Sequence, residues 1–133
     1  MAYQDIYNNL KEFVGLAPVA IAGDGAVVSI IVDTLGFEAY EFNLALGVVT
    51  TGDLTITSIQ ESDAANMAGA TDVPAERLFN TPVTLDTTNT TDTLGFLAVK
   101  RYVTATVTGA NTAAMLASGM FILGDAQSAS TRG

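Results

Sequence analysis

The sequence predicts an all-β protein, an antiparallel β-sandwich of the jelly-roll type, with a short amphipathic helix at its N-terminus. Three observations carry that prediction. Large apolar residues alternate with small or polar ones along several stretches, the period of a strand with one buried face. Gly- and Asp-containing turn signals cut these stretches into short lengths, as in a sandwich or barrel. Charged residues make up only 14% of the 133 positions and hydrophobic ones 49%. That balance excludes wholesale disorder and suits a β protein that hides much of its surface against neighbours.

Residues 1–15 carry the helix pattern. Tyr3, Ile6, Tyr7, Leu10, Phe13 and Val14 recur at three- and four-residue steps with polar residues between them, and Gly15 and Pro18 stop the run. A helix this short needs something to lie against. It either closes one end of the sandwich or reaches as an arm onto another subunit. Residues 16–124 form the sandwich domain, and the small, polar residues 125–133 form a flexible tail.

Within the sandwich, Ala22-Gly23-Asp24-Gly25 is a turn between two apolar runs. Val27, Val28, Ile30, Ile31 and Val32 are β-branched and apolar on both faces, which predicts a central strand. Asp33-Thr34-Leu35-Gly36 then turns the chain into its organising stretch, Phe37 to Ser62. There Tyr40, Phe42, Leu44, Leu46 and Val48 share one face, with Glu41, Asn43, Ala45 and Gly47 opposite. Thr50-Thr51-Gly52-Asp53 supplies a turn, and Leu54 and Ile56 resume the apolar face, so the stretch reads as a β-hairpin.

After Ser62 the pattern becomes small and polar as far as Pro74, and Pro74 to Phe79 fits one helical turn. Thr87 to Thr93 reads as a solvated loop, and its Asn89-Thr90-Thr91 sequon as an ordinary loop sequence. Leu97, Val99, Val103, Ala105 and Val107 share a face of one strand, with Arg101 the exception among them. A turn at Gly109 to Thr112 leads to a last strand, about Leu116 to Leu123.

Five basic residues against fourteen acidic ones give a net charge of -9. That balance repels phosphate backbones and anionic bilayers, so neither nucleic acid nor membrane is an expected partner. Cysteine is absent, and the Met-Ala-Tyr-Gln-Asp start lacks signal-peptide character. The two apolar runs, Val14 to Ala22 and Ala113 to Leu123, are broken or too short for a bilayer. A protein made in a cytoplasm is expected.

With neither histidine nor cysteine, triads, Cys-His pairs and the usual zinc motifs are absent. Gly23-Asp24-Gly25 lacks the third glycine of a dinucleotide loop. Carboxylates remain. Glu38 and Glu41 fall on opposite strand faces, and Glu61, Asp63 and Asp72 lack EF-hand spacing. No catalytic residue, cofactor or metal is assigned. Lys100-Arg101 is the sole adjacent basic pair. It either pairs locally with surface acids or bonds a neighbouring subunit, for which Arg at an otherwise apolar strand position is suited. The interface candidates are therefore Lys100, Arg101 and Tyr102, with Tyr3, Ile6, Tyr7 and Leu10 of the N-terminal pattern.

Five segments in succession resemble a family of small tailed-phage and prophage virion proteins encoded among head genes. They are Val32-Asp33-Thr34-Leu35-Gly36-Phe37-Glu38, Gln60-Glu61-Ser62-Asp63, Asp72-Val73-Pro74, Lys100-Arg101-Tyr102-Val103 and Leu123-Gly124. The resemblance spans roughly Ala26 to Gly124. It implies a β-rich head protein that decorates or cements the capsid, and the acidic balance then predicts the outer face of the shell, with the major capsid protein as partner. A virion location after assembly in the host cytoplasm is expected. Low charge content and strands apolar on both faces further predict a homo-oligomer, a trimer if it sits on three-fold positions. Rival expectations are a coat, connector or tail subunit, and a carbohydrate-binding β-sandwich using Tyr40 or Tyr102 for stacking.

Overall fold

The computed structural model describes residues 10–110 and 112–124. Nine strands lie among them: β1 (Lys11–Gly23), β2 (Ala26–Val28), β3 (Val32–Asp33), β4 (Ala39–Leu46), β5 (Asp53–Ser62), β6 (Thr71–Asp72), β7 (Thr90–Phe96), β8 (Tyr102–Ala110) and β9 (Thr112–Gly124). One 3₁₀ turn, Ala75–Arg77, follows Pro74, where the sequence placed a helical turn.

The strands form two sheets, ordered β1-β9-β4-β7 and β2-β8-β5-β6, with β3 continuing the β2 edge against β8. All pairings are antiparallel. The pairs β1–β9, β2/β3–β8, β4–β7 and β5–β6 are nested, as if one long hairpin with its tip between β5 and β6 had been rolled up. Rolling brings β4 beside β9 and β5 beside β8. This is the jelly roll.

Period-two alternation explains the core. Phe42, Leu44 and Leu46 of β4, Leu94 and Phe96 of β7, and Met115, Ala117, Phe121 and Leu123 of β9 point inward from the first sheet. They meet Leu54, Ile56 and Ile59 of β5 and Val103, Ala105 and Val107 of β8. Phe42 and Phe121 pack at 4.8 Å between ring centroids. Their rings occupy the space that a side chain would need at Gly119 or Gly15.

Five expectations are corrected. The helix pattern extends over residues that are strand from Lys11 onward, so the sandwich begins before Leu16. Lys11 to Val14 pair in register with Leu123 to Met120, and a ladder along β9 outweighs a helix too short to be stable alone. Tyr3, Ile6 and Tyr7, like the tail 125–133, lie outside the described residues. β4 and β5 do not form a hairpin. Their apolar faces look at each other across the core from different sheets, which alternation alone cannot distinguish from pairing. Val27 to Val32 is an edge, not a central strand, with Val28, Ile30 and Ile31 exposed. Finally, Thr90 to Thr93 begin β7, and the run from Leu97 to Val107 is cut at 97–101, where the chain crosses between sheets.

Candidate docking interface

One end of the sandwich is built from the β3–β4, β5–β6 and β7–β8 connections. The β8 start holds them together. Val32 and Asp33 pair with Val103 and Tyr102 on one side, and Glu61 and Ser62 pair with the same two residues on the other. Thr34 donates both its backbone N–H and its hydroxyl to the Arg101 carbonyl, at 2.9 and 2.6 Å. The Glu38 N–H donates to the Gly124 carbonyl, and the Val73 N–H to that of Ile59. Gln60 bonds Asp72 through its side-chain amide. The five segments that carry the family resemblance, far apart in sequence, thus meet at this end.

Glu61 is the element that sequence reasoning missed. It is buried on the core face of β5, 1% exposed. Strict alternation from Leu54 and Ile56 would turn it outward, but a bulge between Ile56 and Ser58 shifts the register and carries Ile59 and Glu61 inward. Arg77 closes over it in a forked ion pair, with Nη2 to Oε1 at 2.5 Å and Nη1 to Oε2 at 3.2 Å. The backbone N–H groups of Val99 and Lys100 donate to the same Oε2. Burial pushes the carboxyl pKa up, but the hydrogen bonds from Arg77 and the two amides outweigh it and leave it below the ordinary value. Both oxygens of the carboxylate are thus engaged, by Arg77 and by the two amides. Among the described residues no group of three or more acidic side chains is placed to hold an ion.

Arg101 stands at the surface with its fork on Asp33 of the same chain, Nε to Oδ1 at 2.9 Å and Nη2 to Oδ2 at 2.8 Å. Both partners are nearly half exposed. Hydrogen bonding from Arg101 lowers the Asp33 pKa despite some desolvation. The guanidinium also lies 5.1 Å from the Tyr102 ring centroid, within cation–π range. Lys100 reaches the Thr71 hydroxyl at 3.4 Å. The structure therefore brings Lys100, Arg101 and Tyr102 together. It places Leu10 in a neighbouring groove of about 300 Å³ that shares Tyr40 with this end. Tyr40 is half buried, with its hydroxyl donating to the Phe37 carbonyl at 2.7 Å, and stacks on Phe96.

Two large apolar side chains project beside these charges, Leu35 at 66% and Val99 at 64% exposure. The loops presenting them are fixed. Gly36, at φ +94°, takes a backbone that other residues resist, and the Leu35 N–H is held by Asp33 Oδ1. The amides of Val99 and Lys100 are held by Glu61. A shallow depression of about 320 Å³ lies between them, lined by Thr34, Leu35, Tyr40, Asp63, Val99 and Arg101 among others. Exposed apolar side chains and charged groups thus stand side by side at this end.

No protein-family model matches the chain, and no curated protein matches it in sequence. Among solved structures, it aligns with a chain in the structure of infectious bursal disease virus Gx strain at a TM-score of 0.47 and 10% identity. The alignment covers 86% of this chain and 32% of that one, so the chain spans about a third of that chain's length.

Proposed function

We propose that this chain is a structural subunit of a tailed-phage virion that docks on the outside of the capsid shell and decorates or cements it. The observation that carries the reading is the convergence of all five resembling segments on one pre-organised end, where Leu35 and Val99 are held out beside Lys100 and Arg101. Burial of two aliphatic anchors drives docking, and the charged rim orients it. The partner is the major capsid protein. The role needs no cofactor and no catalysis, and the carboxylate buried at this end is engaged in holding loops.

The net charge of -9 favours the outer face over the inner one. Packaged DNA rewards cationic contacts by counterion release, and an acidic surface is repelled by it at close range. The test is to mix purified protein with DNA-filled particles lacking it, sediment them, and measure the bound fraction beside a gel shift on duplex DNA. Saturable particle binding with no DNA affinity at low salt supports the proposal. Binding to DNA and not to particles overturns it.

A further inference from the structure

The two outer faces of the sandwich differ in chemistry. On the β2-β8-β5-β6 sheet, Thr55, Thr57, Thr106 and Thr108 stand together, and hydroxyl contacts at 3.0 Å link Thr57 to Thr108 and Thr55 to Thr84. The hydroxyls of that face bond to one another and to the Thr106 carbonyl. On the β1-β9-β4-β7 sheet, Val14, Met120, Asn43 and Thr93 form one row across the strands, and Ser118, Ala45 and Thr91 another. Val14 and Leu116 are each 53% exposed. Register shifts in β1 on either side of Leu16 open a groove of about 390 Å³ between Val14, Pro18, Ala45, Ser118 and Met120. It runs on into a second of about 230 Å³ beside Leu116 and Gly47.

We infer that this apolar face is an interface between copies of the chain, its groove filled by a second copy. Area is the first argument. Four strands about 4.8 Å apart over eight residues at about 3.3 Å each give a flat footprint of roughly 500 Å². The Ile30 N–H donates to the Gly15 carbonyl, so the exposed Ile30 and its neighbour Ile31 extend the apolar surface at the β1 edge, whereas Val28, in register with Thr106, belongs to the opposite face. The combined surface, roughened by side chains, approaches the roughly 800 Å² that each partner contributes to a stable interface.

Charge is the second argument. The grooves are lined by uncharged residues throughout. On this face Glu12 and Glu41 both lie in the row of Ile122, toward one end. Two chains of net charge -9 can meet only through a surface that keeps their acids apart, and this face does so. A different partner recognised by an acidic chain would be steered by charge at the contact. Self-association surfaces are instead apolar and charge-depleted.

The test is sedimentation velocity of the full chain, free of particles, over a range of concentrations and salt. Wild type is expected to be a dimer or larger closed oligomer that tightens as salt screens the repulsion. Leu116→Glu and, independently, Ala45→Glu are expected to give folded monomers by circular dichroism, while Thr57→Glu on the opposite face stays associated. A wild type that is monomeric at every concentration, its face left to the shell or to its own terminal residues, overturns the inference. So does a folded Leu116→Glu or Ala45→Glu protein that associates as wild type does. Because no particle is present, failure here is distinct from failure to dock on a shell.

Discussion

The Arg77 guanidinium closes over a Glu61 carboxylate that the core face of β5 has carried out of water. The pair joins the 3₁₀ turn to the β7–β8 connection, because Glu61 also holds the amides of Val99 and Lys100 and Arg77 donates to the Leu97 carbonyl at 3.0 Å. The loop that presents Val99, Lys100 and Arg101 is thus anchored from beneath by one carboxylate.

Removing one partner of a buried pair leaves an uncompensated charge, which costs more than removing both. Arg77→Met is therefore expected to destabilise the fold more than the double change Arg77→Met with Glu61→Gln. Urea unfolding of the three proteins checks this. Equal or reversed order would mean that the carboxylate finds water instead.

Acid should act on the same end. The folded pKa values of Glu61 and Asp33 are both lowered, so their contribution is fully present above the unfolded values and is lost as pH falls through the folded ones. Stability should hold at neutral pH and decline below about pH 4.5, the ordinary glutamate value. Glu61→Gln should flatten that decline. Thermal melts from pH 7 to pH 3 measure it, and an unchanged slope in Glu61→Gln would assign the acid sensitivity elsewhere.

The core makes two demands of opposite sign. Leu44 is fully buried, and Leu44→Ala should cost roughly 2–5 kcal/mol through lost burial and a cavity. Gly119 has the Phe42 ring where its side chain would go, and Gly119→Ala should cost about 1–3 kcal/mol by overpacking. Denaturant unfolding beside wild type decides both. A change below about half a kcal/mol for either would place that residue outside the tight core.

Arg101→Ala should leave unfolding nearly unchanged, because its exposed pair with Asp33 contributes little to stability. It should weaken particle binding, and Leu35→Asp or Val99→Asp should abolish it. Parallel melts and co-sedimentation separate the two effects. Full particle binding by all three variants would show that this end is not the docking surface.

Much of this architecture was legible in the sequence. The alternation at Phe42, Leu44 and Leu46 and at Val103, Ala105 and Val107 found the core faces, and the turn signal at Ala22 to Gly25 lies where β1 ends. Sheet membership was not legible, because β4 and β5 show the same alternation whether they pair or face each other. Glu61 was hidden by the bulge at Ile56/Ser58, which changes the parity of every later residue in β5; an acid two positions past a buried Ile59, with Arg77 downstream, was the available signal. Val27 to Val32 misled in another way. Its apolar residues on both faces mark an exposed edge, with Val28, Ile30 and Ile31 facing solvent.

The central claim is that the loop end seats the protein on the outer surface of a shell. Imaging by cryo-electron microscopy of DNA-filled particles reconstituted with the purified protein tests it most directly. The account predicts extra density outside the shell at symmetry-related positions, with Leu35, Val99 and Arg101 against the coat and the threonine face toward solvent. Density inside the shell or confined to the tail, or an outer seat made through the threonine face, would contradict it.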